Sequence, residues 1–242
     1  FLYLRRTPQQ AELICSSPLM WPWSPLNNDL NTHYAPFKMS QIAGMYEVGN
    51  AGAYTDTGVP IRPAQMSGVL GNVVTMARTR GFSSPNTSII ILDEYQKEES
   101  DYYRRGEGVG LANIYETVNR NRELQGQKPI TLLCMSNAVG MANPYYMQWD
   151  ITDTVERMIG KKERVKLLKD KGILLIDLVD SPVAKEKAKT ALYRSMSGTD
   201  FYRSAIENQY SAEEKSLVVS RPLREYYPLV QIGRCCIYEH KS

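Results

Sequence analysis

Residues 87–95 read T-S-I-I-I-L-D-E-Y, and this stretch decides the fold class. Its first six residues are mostly β-branched or apolar without alternation, which is typical of a strand buried on both faces of a parallel sheet. Residues 130–135, I-T-L-L-C-M, repeat the pattern and predict a second fully buried strand. A helix is predicted between the two strands at residues 107–124, because apolar residues recur there at three- and four-residue spacing. This alternation predicts an α/β domain with a mainly parallel sheet flanked by helices.

The rest of the chain extends this architecture. We expect further strands at residues 1–4, 37–48, 65–79 and 173–179, a turn region at 49–63, helices at 152–171 and 184–193, and a terminal hairpin formed by 217–219 and 229–238. Gly-, Asn- and Pro-containing turns separate these segments, so the chain is predicted to hold one large domain followed by smaller elements.

The composition excludes several classes of protein. Of 242 residues, 43% are hydrophobic and 23% are charged, which are ordinary values for a globular protein with a buried core. No stretch approaches the roughly 18 consecutive apolar residues of a membrane span, and no signal-peptide pattern opens the chain. The four cysteines lack zinc-like spacing, so reduced thiols are expected. A net charge of +3 is compatible with nucleic acid without indicating it.

Two adjacent carboxylates, Asp93 and Glu94, follow the strand at the centre of this pattern. An apolar strand that ends in Asp-Glu is typical of a P-loop ATPase, in which the first carboxylate holds Mg²⁺ and the second orients the attacking water. The alternative is a core strand that runs into a polar turn, which Asp and Glu commonly form. The sequence alone leaves both interpretations open.

Ser136 and Asn137 follow the next strand in the same way. A polar side chain at this point senses the γ-phosphate in ATPases of this class, and an Asn-containing turn is the alternative. The carboxyl ends of neighbouring parallel strands meet at one edge of a sheet, so we expect Ser136 and Asn137 to lie near Asp93 and Glu94.

Asn119 to Arg122 read N-R-N-R at the end of the helix predicted between the two strands. Arg120 and Arg122 are candidates for an arginine finger, a guanidinium that reaches the γ-phosphate bound by a neighbouring subunit. The alternative is a favourable interaction of these arginines with the carboxyl end of the helix dipole.

Three stretches together resemble the DNA-encapsidation ATPases, or large-terminase-like motors, of short-tailed phages with protein-primed linear genomes. They are F-L-Y-L-R-R from Phe1, S-I-I-I-L-D-E-Y from Ser88, and V-N-R-N-R-E-L followed by L-L-C-M-S-N-A-V-G-M-A-N-P-Y-Y between Val118 and Tyr146. The element S-N-A-V…N-P-Y is rather specific, and its spacing from D-E-Y matches the family. The resemblance implies a P-loop fold of the ASCE type.

Carried over residue by residue, the resemblance assigns Asp93 to magnesium and Glu94 to catalysis. It makes Arg120 the first choice for a finger that acts in trans, with Arg122 as the second. Ser136 and Asn137 become the element that reports the γ-phosphate. The resemblance adds Arg6, from the Y-L-R-R strand, as a nucleotide-binding residue.

The resemblance also implies partners and a place of action. The intact protein is expected to hydrolyse ATP with Mg²⁺ and to translocate double-stranded DNA through a homo-oligomeric ring, commonly a pentamer, at the portal vertex of a procapsid in the host cytoplasm. A packaging RNA is a further candidate partner. Two other hypotheses stay open: a headful-type terminase with an active nuclease domain, and an ATPase-like scaffold that does not hydrolyse ATP.

One departure from the family concerns the phosphate-binding loop. The motif G-x-x-x-x-G-K-[ST] does not occur in the sequence, and the chain begins at Phe1 within a predicted strand. We therefore expect a fragment that lacks the Walker A strand, loop and helix and that binds ATP weakly or not at all. The predicted organisation is an ATPase domain at residues 1–181, a linker at 182–209 and the start of a β-rich, nuclease-like domain at 210–242.

Overall fold

The computed structural model describes residues 1–30, 33–39, 44–50, 53–55, 57, 60–62, 65–78, 87–97, 101–179, 182–207, 223–233 and 235–241. The chain divides into two compact units, Phe1–Tyr210 and Ser211–Ser242. The predicted strand at residues 217–219 lies outside the described residues. Within the described part of the chain, no helix combines the length and the apolar character that a membrane span requires.

A six-stranded sheet forms the centre of the first unit. The strands along the chain are β1 (Leu2–Arg5), β2 (Tyr34–Met39), β3 (Tyr46–Asn50), β4 (Ala53–Tyr54), β5 (Pro60–Arg62), β6 (Gln65–Asn72), β7 (Ile89–Asp93), β8 (Thr131–Met135), β9 (Val165–Leu168), β10 (Ile173–Ile176), β11 (Tyr226–Ile232) and β12 (Cys235–His240). The sheet has the order β2-β3-β6-β1-β7-β8. Strands β6, β1, β7 and β8 are parallel, and β3 and β2 extend the sheet in antiparallel fashion. The predicted α/β fold with a mostly parallel sheet is confirmed.

Short helices connect and cover these strands. They are α1 (Pro8–Cys15), α2 (Ser24–Asp29), α3 (Val73–Met76), α4 (Glu107–Asn119), α5 (Pro144–Gln148), α6 (Thr152–Gly160), α7 (Pro182–Ala188), α8 (Ala191–Ser195) and α9 (Asp200–Glu207). Single 3₁₀ turns lie at Pro18–Met20, Glu123–Gln125, Lys169–Lys171 and Leu223–Glu225. In the second unit, β11 and β12 pair as an antiparallel hairpin.

Alternation along β1 builds a core on each face of the sheet. Leu2 and Leu4 point to one face, where they pack with the buried side of α4. Tyr3 points to the other face and packs with α1 and Trp23. Each fully buried leucine stabilises the fold by roughly 1.5–3 kcal/mol through removal of apolar surface from water. These two layers hold the carboxyl ends of β1, β7 and β8 in fixed positions.

The prediction that residues 130–135 form a fully buried strand is wrong. Strand β8 is the last strand of the sheet that the structure describes, and Leu133 and Met135 are 41% and 40% exposed. An unbroken apolar run indicates that a strand can be covered on both faces, but it does not state how many neighbours the strand has.

Two predicted boundaries are also corrected. The strand predicted at residues 65–79 ends at Asn72, whose side chain accepts a hydrogen bond of 2.8 Å from the amide of Thr75 and thereby starts α3. The helix predicted at residues 107–124 ends at Asn119, because Arg120 and Asn121 adopt positive φ angles of 27° and 50°.

The segment after Asp150 differs most from the sequence-based expectation. The helix predicted at residues 152–171 ends at Gly160, and Lys162 has a φ of 55°. The chain then forms β9, which pairs with β10 as a separate antiparallel hairpin. The strand predicted at residues 173–179 therefore exists as β10 but does not join the parallel sheet. The helix predicted at residues 184–193 is split between α7 and α8.

Candidate active site at the carboxyl edge of the sheet

The parallel strands place three chain segments side by side at one edge of the sheet. Strand β1 ends at Arg5, and β7 beside it ends at Asp93, which is in register with Met135 at the end of β8. Ser136 and Asn137 therefore follow directly beside the Asp93–Glu94 pair, as the sequence predicts. Tyr95 strengthens this contact, because its amide donates a 3.3 Å hydrogen bond to the carbonyl of Met135.

Two side chains of strand β1 form hydrogen bonds with the carboxylate of Asp93. The hydroxyl of Tyr3 donates to Oδ2 of Asp93 at 2.5 Å, and Nη1 of Arg5 donates to the same oxygen at 2.9 Å. Burial, reinforced by the Asp93 carboxylate, raises the pKa of Tyr3 well above its ordinary value. The hydroxyl therefore keeps its proton and acts as a donor to Asp93.

Arg5 binds both carboxylates of the pair. Its Nη1 contacts Asp93 and its Nη2 contacts Glu94, while its own side chain is only 11% exposed. The positive charge of Arg5 lies close to both carboxylates and offsets the repulsion between them. Sequence analysis did not assign a role to Arg5. Its contact with Asp93, 88 positions away, depends on the register of β1 and β7.

The backbone turns sharply at Glu94. This residue has a φ of 52°, in the left-handed region, and its amide donates to Oδ1 of Asp93 at 3.1 Å. A non-glycine residue in this region costs roughly 1–2 kcal/mol relative to an ordinary conformation. The turn leaves Glu94 49% exposed and Asp93 27% exposed, so both carboxylates are accessible to solvent and to a ligand.

The carboxylate pair suits a hydrated magnesium ion. Mg²⁺ in nucleotide sites is commonly bound by one or two carboxylates together with water and substrate phosphates, rather than by an all-protein cage. Asp93, whose carboxylate is 27% exposed, could supply such a ligand. Among the residues that the structure describes, no three His, Cys, Asp or Glu side chains gather where they could hold a metal ion by themselves.

Ser136 and Gln96 join the two loops that follow β7 and β8. The hydroxyl of Ser136 accepts a 3.2 Å hydrogen bond from the amide of Gln96. The buried side chain of Gln96 accepts at 2.9 Å from the amides of both Val139 and Gly140. Asn137 is exposed beside them. Sequence analysis missed Gln96, because these partners are 40 to 44 positions away in the chain.

The structure places Arg120 and Arg122 after the carboxyl end of α4, at the end of the helix away from Asp93 and Glu94. This helix follows β7 and returns to the start of β8, where Oδ1 of Asn119 accepts from the amide of Ile130 at 3.0 Å. Its 13 residues span about 20 Å. Arg120 is exposed there and is not brought to Asp93 or Glu94 of the same chain. A contact between Arg120 and this carboxylate pair therefore requires a second subunit.

Arg6 lies apart from the carboxylate pair, in a buried ion-pair network. Its Nε and Nη2 donate to Glu107 at 3.0 Å each, and its Nη1 donates to Asp101 at 2.7 Å. Nη2 also donates to the carbonyl of Tyr102, and the side chain is 0% exposed. In this placement its donors are directed to protein oxygens, and the nucleotide-binding role of Arg6 stays a prediction. Arg6 fixes the start of α4 against β1.

An open cavity of about 710 Å³ lies between β8 and the β9–β10 hairpin. Apolar and aromatic side chains line most of it, including Leu133 of β8, Leu175 of β10 and Trp149, and it extends to Ser136 and Gln96. Asp93 and Glu94 do not line this cavity. The candidate site is therefore the edge formed by Arg5, Asp93, Glu94 and the loop after β8.

Comparison with known proteins shows which protein family this chain matches. Residues 70–227 match the family model described as Podovirus DNA encapsidation protein (Gp16). The DNA packaging proteins of Bacillus phages phi29 and PZA are each 29% identical to this chain over 138 residues. That alignment covers 57% of this chain and 38% of each relative. The chain therefore aligns with less than half the length of these curated relatives.

Two solved structures are similar in fold. The phi-28 gp11 DNA packaging motor has a TM-score of 0.52 at 15% identity, covering 86% of this chain and 55% of that chain. The bacteriophage phi-29 viral genome packaging motor assembly has a TM-score of 0.52 at 17% identity, covering 95% of this chain and 59% of that chain.

Proposed function

This chain belongs to the podovirus DNA encapsidation protein (Gp16) family, and we propose that it carries catalytic residues of the ATPase that packages the phage genome. One observation carries the proposal: Asp93 and Glu94 lie side by side at the carboxyl end of β7, both bound by Arg5. In this proposal the motor hydrolyses ATP and uses the free energy to move double-stranded DNA into a procapsid in the host cytoplasm.

Each residue of the site has a chemical task. Asp93 would hold Mg²⁺ through its water shell, and the ion, when bound, would neutralise phosphate charge. Glu94 accepts a hydrogen bond from the attacking water and orients it, which is general-base work that typically contributes about 10²–10⁴-fold in rate. Arg5 holds both carboxylates in place. Ser136 and Asn137 lie where a side chain could contact the γ-phosphate of a nucleotide beside Asp93.

A packaging assay tests this function in the full-length natural protein. We expect Asp93→Asn to reduce DNase-protected DNA in procapsids by at least about 10-fold, because a neutral amide is a weak ligand for Mg²⁺. Asp170→Asn, in an exposed 3₁₀ turn, is the matched control and is expected to package like the wild type. Equal packaging by the wild type and Asp93→Asn would remove Asp93 from the site, and absence of any packaging by the wild type would overturn the proposed function.

In the proposed ring, Arg120 of each subunit completes the site of the adjacent subunit, since it lies at the end of α4 away from the carboxylates of its own chain. The proposed partners are further copies of this protein, commonly five, together with double-stranded DNA, the portal of the procapsid and a packaging RNA. Arg122, two residues from Arg120, is the second candidate for the residue that reaches the neighbouring site.

Subunit mixing tests this arrangement. A mixture of Arg120→Ala and Glu94→Gln subunits contains sites with intact carboxylates from one subunit and an intact arginine from the next. We expect an equal mixture to regain up to about a quarter of wild-type hydrolysis, while each variant alone is inactive.

A mixture of Asp93→Asn and Glu94→Gln subunits is the matched control. Every site in that mixture contains one defective carboxylate, so no rescue is expected. If the first mixture shows no rescue at any ratio, Arg120 does not act in trans.

A further inference from the structure

The loops after β7 and β8 are joined by more than sheet pairing. Beyond the register of the two strands, Tyr95 donates its amide to Met135, and Gln96 donates its amide to the hydroxyl of Ser136. The same two loops hold Glu94 and Ser136, which the proposed function assigns to the attacking water and to the γ-phosphate.

The buried side chain of Gln96 adds further hydrogen bonds between the two loops. The residue is 5% exposed, and its Oε1 accepts from the amides of both Val139 and Gly140 at 2.9 Å. A buried carbonyl oxygen with two amide donors has both of its lone pairs satisfied. The loop at residues 136–140 is therefore anchored at its beginning and at its end to one residue.

The amide end of Gln96 fixes the side chain from the other direction. Its Nε2 donates to the hydroxyl of Tyr146 at 3.2 Å and contacts the hydroxyl of Tyr95 at 3.5 Å. These two hydroxyls are themselves hydrogen-bonded at 2.7 Å. The two bonds to Oε1 tie the loop to residue 96, two residues after Glu94, while the bonds from Nε2 pack the amide end without contacting the loop.

We propose that Gln96 is a positioning residue that couples the loop at residues 136–140 to the carboxylate of Glu94. The proposal rests on the proposed function. When a γ-phosphate draws Ser136 or Asn137 toward it, the amides of Val139 and Gly140 move with the loop and carry Gln96 with them. Glu94 then reaches the position from which it orients water. Release of phosphate reverses the shift, so hydrolysis is confined to the loaded site.

Two variants separate coupling from simple packing. Gln96→Met keeps the length of the side chain but removes the oxygen that binds the loop. Tyr146→Phe removes a hydrogen-bond partner from the Nε2 end and leaves both bonds to the loop intact. Both variants disturb the same buried network, so a purely structural role predicts similar effects on activity.

Steady-state ATP hydrolysis by the full-length protein is the first measurement. We expect Gln96→Met to lower kcat by about 10²-fold, since displacement of a catalytic group by about 1 Å has this effect, with KM changed less than about 2-fold. Tyr146→Phe is expected to keep kcat within about 2-fold of the wild type while lowering the melting temperature as much as Gln96→Met does. A loss of kcat in Gln96→Met no larger than that in Tyr146→Phe would overturn the proposal.

Hydrogen exchange provides a measurement that does not depend on turnover. In the wild type, a non-hydrolysable ATP analogue is expected to protect residues 94–97 and 136–140 together. In Gln96→Met, protection is expected in residues 136–140 alone. Joint protection in Gln96→Met would refute the coupling. If the wild type binds the analogue but does not hydrolyse ATP, the proposed function is wrong. The hydrogen-exchange comparison of the wild type and Gln96→Met still tests the coupling in that case. If the wild type does not bind the analogue, both proposals fail.

Discussion

We expect full-length protein carrying Glu94→Gln to bind ATP but to hydrolyse it at least about 10²-fold more slowly than the wild type. Glutamine has nearly the same shape as glutamate, and its carbonyl oxygen can still accept from Arg5. It carries no negative charge, however, and cannot draw the proton from an attacking water. Phosphate release at saturating ATP measures the rate, and binding of a fluorescent ATP analogue measures the retained affinity.

An exposed glutamate on the same unit provides the control for this experiment. Glu12→Gln, on the solvent side of α1, makes the same chemical change away from the carboxylate pair and is expected to leave both values within about 2-fold. Wild-type turnover in Glu94→Gln would remove Glu94 from the mechanism. Loss of ATP binding would instead give Glu94 a role in holding the nucleotide.

Removal of the Arg6 guanidinium is expected to have the largest effect on stability. In Arg6→Met, the carboxylate of Glu107, which is 2% exposed as a residue, loses its positive partner. Leaving one member of a buried ion pair uncompensated typically costs about 3–5 kcal/mol. We expect a decrease of this size in the free energy of unfolding, measured by urea titration of the full-length protein.

Two further variants show whether the loss arises from the uncompensated charge. The double variant Arg6→Met with Glu107→Leu removes both charges and is expected to recover much of the loss. Lys189→Met breaks the exposed pair with Glu186 and is expected to cost no more than about 1 kcal/mol. A cost for Arg6→Met as small as that for Lys189→Met would show that the buried network contributes little to stability.

The sequence predicted the centre of the fold well and its margins poorly. An apolar run without alternation is a sufficient signal for a parallel strand, so β7 was found within two residues of its bounds. The number of neighbours of a strand is a property of the whole sheet, and for that reason the exposed position of β8 was missed. Asn72 could have been identified as a helix cap, because its side chain is well suited to accept from the amide of Thr75.

Part of the candidate site could likewise be predicted from the sequence, and part of it could not. One rule, the meeting of parallel strand ends at a single edge, predicted that Asp93, Glu94, Ser136 and Asn137 lie together, and the strand register places them there. Arg5 and Gln96 were not found, because their roles depend on partners about 90 and 40 positions away that only strand register brings into contact. The ion pairs of Arg6 could not be predicted, because its partners, Asp101 and Glu107, lie about 100 residues further along the chain.

At Glu94, the left-handed backbone conformation lowers stability, while the side chain is the one that we expect to be needed for function. Glycine or asparagine would adopt its φ of 52° with less strain, so directed evolution for thermal tolerance would be expected to favour them there. Variants chosen in that way would have gained heat resistance by giving up the carboxylate that we expect to activate water. A screen that retains only clones able to package DNA would keep the glutamate, and with it a local weak point in an otherwise well-packed sheet.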